Sequence, residues 1–600
     1  MNKGNDRLYL MLLSGVVLGL FYFRYASFFP NDQGNLGHDY SLFMPDLLDG
    51  VYWYETNGPV EVPWFTPSFG GGLPKFPNPQ SSYYSIPQFL SFFVNPLRSV
   101  ELTVLIFGIL GFAGFYGLLR RVFFTTSHTA LWGGTLFLFN GFYLSRMIVG
   151  HLTYHSFMLV PFLALLVLNR PHKVRDYLAE VAGGACLLAY MIYSGNIHLI
   201  PVVLLCLLIM MLIQAWSGGA PERLKHSGVK CLGILTVAAL LSAARLHASI
   251  SYLSLFPRDF YLLPGYKSLI GTFWIGFQSL FLEAPESFAG KIISTRNNFG
   301  LHEYDYGITI VPLIMLMVAL VFILKNNRQR FIQLVRGNLF MTVSLVVLLS
   351  IPIALNYYHY YWNVILKHLP FIKSSSTLIR WFALYIPVFI TLSCLSVRQM
   401  KWSPHMEKRI ALLGVLGVIV ISGLKLDKAH YHQESYDPQV ILDNYEALKS
   451  HDFKPHIKGI GTELVKEGIT IGSNDLLVVG LSQLKPYEPM FGYRLETFPR
   501  KTLRPGPVMQ TDSLGFLNLK NPASYVFPKA NNLIPGMHFH ISQKEAAKQL
   551  VSYQPYTFLM PPAQHFANSI TRGTLYLLLA YYLWMIIGWV LKKVRSKPVS

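Results

Sequence analysis

The chain is 600 residues long, 52% hydrophobic, 14% aromatic and only 13% charged, with a net charge of +20. That balance excludes an ordinary soluble domain and a disordered chain, and defines an integral membrane protein. All four cysteines, Cys186, Cys206, Cys231 and Cys394, fall in or at the ends of apolar runs, which excludes a disulfide framework and a thiolate metal cluster.

A membrane-spanning helix needs roughly 20 mainly apolar residues. In chain order such runs lie near 8–29, 101–119, 129–148, 152–169, 177–195, 197–216, 230–250, 307–325, 338–356, 379–397, 409–424 and 573–591. About twelve transmembrane helices are expected; the runs are too long and too uniformly apolar for barrel strands. The first run lacks a small-residue cleavage site and reads as a retained helix. With Lys3 and Arg7 inside, strict alternation puts Arg120, Arg121, Arg170, Lys173, Arg175, Arg223, Lys225 and Lys230 on the same side. Arg328, Arg330, Arg336, Arg398, Lys401, Lys408, Arg409, Lys592, Lys593 and Arg595 follow the same rule. Both termini are therefore expected in the cytoplasm. Topology accounts for much of the positive charge, and no nucleic-acid partner is needed.

This leaves four large external pieces: 30–100, 251–306, 357–378 and 425–572. The first three are loops of a transmembrane module, 1–424. The last reads as a small external β or α+β domain, because Gly, Pro and Asn punctuate short runs such as "ITIGSNDLLVVG". Residues 573–600 supply the final helix and a basic cytoplasmic tail.

The first external piece begins "GNLGHDYSLFMPDLLDG", residues 34–50. At helical spacing Asp39 and Asp46 share a face and Asp49 adjoins it, so the segment predicts a short interfacial helix with its acids on the solvated side. Downstream, "PWFTPSFGGGLPKFPNPQSSYYSIPQFLSFFVNP" (63–96) has prolines and three glycines that forbid a long helix. Its aromatic side chains, Trp64 foremost, offer ring faces suited to sugars.

An acidic residue just after the first helix, followed by "W.P..GGG.P...NPQ..YY", resembles the first external loop of bacterial polytopic glycosyltransferases of the GT-C superfamily, and is most similar to the YfhO-like group. Further similar segments occur in order at "IVGHLTYHSFMLVPFLALL", "YSGNIHLIPVVLL", "NNFGLHEYDYGITIVPLI" and "LPFIKSSSTLIRWFALYIPV". The resemblance implies transfer of a sugar from a polyprenyl-phosphate carrier to an envelope glycan or lipid acceptor, at the outer face of the bacterial plasma membrane. It also implies that Asp39 is the general base, taking the acceptor hydroxyl's proton in a single inverting displacement. That chemistry is consistent with a carboxylate ionised at neutral pH.

A phosphate leaving group calls for external cations. Arg245, Arg258, Arg296, Lys373 and Arg380 are the candidates; Arg245 lies in an apolar run and Arg380 follows "KSSST" at the start of another. "HEYDYG" places Glu303 and Asp305 where, with Asp39, they could hold a divalent cation such as magnesium or manganese. His38 adjoins Asp39, His151 and His155 stand four apart, and His38 and His151 are counted with the substrate-binding residues. His198 reads as a satisfied intramembrane polar group. The alternative function is a transporter or flippase of lipid-linked saccharides, which would carry several ionisable groups near mid-membrane.

Overall fold

The computed structural model describes residues 3–595, apart from 219–221, 256–262, 283–299, 371, 373–374, 376, 401, 426–433, 467–468, 472 and 488–502. Each apolar run predicted from sequence is helical over most of its length. Among the described residues, six helices are long and apolar enough to cross a membrane: Leu8–Ala26, Pro96–Arg121, Ile197–Ser217, Glu222–Leu241, Ile379–Gln399 and Pro562–Leu591. None of the apolar window of Pro562–Leu591 is buried by protein, and Leu577 and Trp584 stand open. So apolar a helix is stable only where lipid supplies its surroundings. The chain is a polytopic α-helical membrane protein with a small sheet-bearing region near its C-terminus.

Of the remaining predicted spans, 177–195 and 409–424 lie in continuous helices, Val174–Tyr193 and Pro404–Lys425, and the others are shorter or interrupted, for local reasons. The run 129–148 breaks at Asn140, whose side chain accepts the Tyr143 N–H at 2.9 Å and so starts a new helix, Gly141–Val149. A 13-residue apolar helix, Leu269–Phe281, occupies the middle of the predicted external loop 251–306; it is too short to satisfy the length criterion in sequence.

In the C-terminal region, strand Gly459–Gly461 lies between Leu481–Gln483, parallel, and Gly506–Pro507, antiparallel. Phe516–Lys520 pairs antiparallel with His538–His540, and helices Gln439–Lys449 and Lys544–Val551 pack nearby. This mixture of α and β agrees with the composition of 425–572.

The opening segment does form a helix, Tyr40–Asn57, here called the loop helix. The expectation that Asp46 and Asp49 face solvent is overturned. Lys75 Nζ lies 2.6 Å from Asp46 Oδ1 and 2.7 Å from Asp49 Oδ2, and all three side chains are largely or fully enclosed. Thr66 and Ser68 hydroxyls also donate to Asp49, and Ser82 donates to Asp46 at 2.9 Å. Burial opposes the Lys75 ammonium, but the two carboxylates more than offset it and raise its pKa. The network fastens the glycine-rich segment 63–82 onto the loop helix. Lys75→Met is therefore expected to destabilise the protein by about 3–5 kcal/mol, because it strands two buried carboxylates; thermal unfolding in detergent gives the comparison.

The same segment is hydrogen-bonded into the C-terminal region. Gly70 N donates to the Gln483 carbonyl at 2.8 Å, and Lys520 N donates to the Gly71 carbonyl at 2.8 Å. The glycine-rich segment and the C-terminal region thus form one continuous hydrogen-bonded layer.

Candidate active site

Asp39 is the residue just before the loop helix, and two close backbone approaches fix its place. Its N–H donates to the Val149 carbonyl at 3.0 Å, and the Tyr40 hydroxyl donates to the Met147 carbonyl at 2.6 Å. A Cβ on Gly37 would come 2.2 Å from the Ile148 carbonyl oxygen. One on Gly150, at φ +112°, would come 2.5 Å from Tyr40 N. Only glycine permits both approaches. The start of the loop helix is thereby pressed against the end of Gly141–Val149, and His151 follows directly.

Asp39 is 5% exposed. Its Oδ2 lies 2.5 Å from His151 Nε2, and its Oδ1 accepts the Tyr487 hydroxyl at 2.8 Å. Arg146 Nη1 lies 2.6 Å from His151 Nδ1. A guanidinium only donates, so Nδ1 must accept, and the ring proton sits on Nε2, directed at Asp39. His151 is therefore a neutral imidazole. Burial lowers its pKa first, Asp39 opposes that, and the neighbouring arginines reinforce it. Burial pushes the Asp39 carboxyl up, but His151, His38 and the Tyr487 hydroxyl more than offset this and hold it well below the usual carboxylate range.

Beyond His151 lies a second buried group. Glu303 Oε2 lies 2.6 Å from Arg146 Nη2, and Glu303 Oε1 lies 2.5 Å from Arg380 Nη2. Burial alone would raise the Glu303 carboxyl, but Arg146 and Arg380 hold it well below its ordinary value. Both guanidiniums stand over the Tyr154 ring, at 5.1 and 5.5 Å, and the Tyr154 hydroxyl lies 2.7 Å from His198 Nε2. The Arg380 side chain is 26% exposed, whereas Arg146 is fully enclosed, so Arg380 is the arginine that a ligand can reach.

His302 completes the cluster. Its ring lies 4.9 Å from the His151 ring and 5.9 Å from the His38 ring. Burial, with His151 and Arg146, outweighs the opposing pull of Glu303 and Asp39 and holds its pKa well below the ordinary value, so it too is neutral. His38 behaves oppositely: its Nδ1 lies 2.8 Å from Glu434 Oε2, and that hydrogen bond raises its pKa.

Ligand atoms of His151, His302 and Glu303 all lie within 4.8 Å of one another. Two imidazoles and a carboxylate suit zinc or manganese better than magnesium. Two of its three members are already engaged, however. Arg146 and Asp39 occupy both nitrogens of His151, the two arginines occupy Glu303, and their charges cancel those of Asp39 and Glu303. As arranged, the cluster does not fit a resident dication without displacing Arg146.

The remaining predicted site residues fall elsewhere. Asp305 accepts the Ser145 hydroxyl at 2.5 Å and the Gly307 N–H at 3.2 Å, apart from the Glu303 clamp. Arg245 donates to the carbonyls of Tyr193, Asn78 and Ser81 at 2.8–3.0 Å, bracing the 63–96 segment against the membrane helices. Trp64 packs on Phe76, Phe527 and Phe558, toward the far end of the loop helix. Arg258, Arg296 and Lys373 lie outside the described residues.

Arg146, His302, Tyr487 and Glu434 are members that the sequence reading did not single out. Tyr487→Phe removes one hydrogen bond to the Asp39 carboxylate, so the Asp39 pKa should rise toward its ordinary value. A base acts only when deprotonated, so the acid limb of the pH–rate profile should move to higher pH.

No protein-family model and no curated protein matches the chain. Among solved structures it is similar to the Archaeoglobus fulgidus oligosaccharyltransferase in three forms. With a tethered acceptor peptide containing the NVT sequon, identity is 13% over 71% of this chain and 55% of that one, with a TM-score of 0.37. In complex with zinc and sulfate the values are 14%, 70%, 53% and 0.34. In the apo form they are 15%, 70%, 56% and 0.34. The chain spans about half the length of that protein. Likeness at this level assigns neither activity nor substrate.

Proposed function

We propose that the protein is a membrane glycosyltransferase of GT-C type, moving a sugar from a polyprenyl-phosphate donor to an envelope glycan or lipid acceptor, at the outer face of a bacterial plasma membrane. The observation that carries this reading is the pairing, in one enclosed cluster, of an ionised carboxylate with an arginine that a ligand can reach. Asp39 is kept anionic by hydrogen bonds from His151 and Tyr487. Arg380 engages Glu303 through Nε and Nη2, while a guanidinium carries five N–H donors in all.

In this reading the acceptor hydroxyl approaches Asp39 Oδ1, in place of or beside the Tyr487 hydroxyl. Asp39 takes its proton as the oxygen bonds to the anomeric carbon, and the bond from that carbon to the phosphate oxygen breaks. Arg380 meets the charge that develops on the departing polyprenyl phosphate. His151 is a positioning residue: with Arg146 on one nitrogen, it can only donate to Asp39, which keeps the carboxylate oriented. One displacement with one base is an inverting reaction and needs no enzyme nucleophile. The chemistry runs without a metal step, so chelator treatment should leave transfer intact when product is assayed before and after dialysis.

Mass spectrometry of envelope glycans from cells with and without the protein tests the reading. One sugar unit should be missing from a defined glycan when the protein is absent; identical glycan profiles would contradict it.

A further inference from the structure

At the far end of the loop helix from Asp39, the first external loop and the C-terminal region enclose a cleft of about 230 Å³. Trp64, Phe65, Tyr556 and Phe558 form its aromatic lining, with Glu61 and Gln554 exposed at the rim. The lining is fixed on both sides. Phe65 sits in a two-residue ribbon opposite Pro74, and Lys75 N donates to the Trp64 carbonyl at 2.9 Å. The Tyr556 hydroxyl donates to Asn521 Oδ1 at 3.1 Å, and Trp53 Nε1 donates to the Glu61 carbonyl at 3.0 Å. Phe65 and Tyr556, one from each wall, stack at 5.4 Å. The cleft is therefore formed before any ligand arrives.

We propose that this cleft is a saccharide-binding subsite, holding one ring of a neutral glycan chain. Three features select that occupant. The half-buried rings of Trp64 and Phe558 offer apolar surface to the C–H face of a sugar ring, while a carboxylate and an amide at the rim accept and donate to its hydroxyls. The volume lies below the range of roughly 300–1,000 Å³ typical of drug-sized ligands, which suits one ring of a chain. Glu61 repels anionic lipid headgroups, although the cleft wall leads directly into the apolar helix Pro562–Leu591.

The position gives the subsite its use. Trp53 is fourteen residues along the loop helix from Asp39, which at the helical rise is roughly 20 Å. A glycan anchored at the cleft and lying along the loop helix would bring a distant unit to Asp39, so the enzyme would select acceptors by chain length as well as by the attacked sugar. This role rests on the glycosyltransferase reading; occupancy of the cleft does not, and is measured without catalysis.

The test is saturation-transfer NMR on the full chain in phosphatidylcholine nanodiscs. The probes are neutral tetrasaccharides: β-1,4-linked N-acetylglucosamine, α-1,4-linked glucose and α-1,6-linked mannose. At least one should bind saturably, and Glu61→Gln should weaken it by about tenfold, the worth of a charge-assisted hydrogen bond. Gln554→Ala should weaken it by less, and Asp39→Asn should leave binding unchanged. Both rim side chains are exposed, so these variants are expected to fold. Absence of saturation transfer from every tetrasaccharide, or binding by Glu61→Gln and Gln554→Ala equal to the parent, would overturn the proposal. So would displacement of the saccharide by phosphatidylglycerol added to the nanodisc, which would assign the cleft to lipid. Loss of binding in Asp39→Asn would place the saccharide at Asp39 instead. If saccharide binds as expected but no transfer is ever observed, the subsite stands and the glycosyltransferase reading falls.

Discussion

Asp39→Asn should lower sugar transfer by about 10²- to 10⁴-fold, the usual worth of a general base, with little change in folding. The reason for sparing the fold is geometric. The asparagine carbonyl can accept from His151 Nε2, as Asp39 Oδ2 does at 2.5 Å, and its amide can donate to the Tyr487 oxygen. What is lost is the capacity to take a proton. Asp39→Ala is a different experiment, because it leaves the His151 N–H and the Tyr487 hydroxyl facing an enclosed void. The comparison to make is initial rate against unfolding midpoint for both variants. A slow but stably folded asparagine variant is the expected result.

Glu303→Ala should be the most destabilising single change at the site, by about 3–5 kcal/mol. Glu303 is the carboxylate shared by Arg146 and Arg380, and both guanidiniums stack on Tyr154. Without it two cations face each other across one aromatic ring. Removing Arg380 alone leaves a paired Arg146–Glu303 and should cost less stability but weaken binding of the lipid-linked donor. Thermal unfolding of Glu303→Ala and Arg380→Ala, side by side, checks the order. Equal stability of Glu303→Ala and the parent would show that the clamp carries no structural weight.

The membrane architecture was legible because apolar run length is a local property; each predicted run is helical. What composition does not report is where a run is broken, as at Asn140. Asp39 stood out through its position after the first helix and its resemblance to a family loop. Helical spacing puts Asp39 and Asp46 on one face and Asp49 beside it, but spacing does not say which side is covered. The covering residue, Lys75, arrives 26 to 29 residues later from the glycine-rich segment. Arg146 carried a signal that went unused: an arginine inside the apolar run 129–148, the very pattern that marks a functional site in a membrane. Arg245 carried the same signal, and the structure commits it to three backbone carbonyls. Tyr487 and Glu434 carried none. They reach Asp39 and His38 from 448 and 396 residues away, so their roles appear only once the C-terminal region is seen docked on the start of the loop helix.

That docking also gives 425–572 a part in the site. Tyr487 N donates to Asn474 Oδ1 at 2.9 Å, which holds the tyrosine over Asp39. Tyr436 pairs with Leu36 just before His38, and its hydroxyl donates to Asp475 at 3.0 Å. Burial raises the Asp475 carboxyl to about 7, against the opposing effect of the Tyr436 hydrogen bond.

The central claim is that Asp39 serves sugar transfer. The direct measurement uses purified protein in vesicles, a labelled polyprenyl-phosphate sugar and an envelope glycan acceptor, following label on the acceptor and on both leaflets. Label should appear on the acceptor with matching release of polyprenyl phosphate, and Asp39→Asn should abolish that appearance. Movement of intact lipid-linked sugar across the bilayer, with no label on the acceptor and no difference between the parent and Asp39→Asn, would contradict the account and identify a transporter.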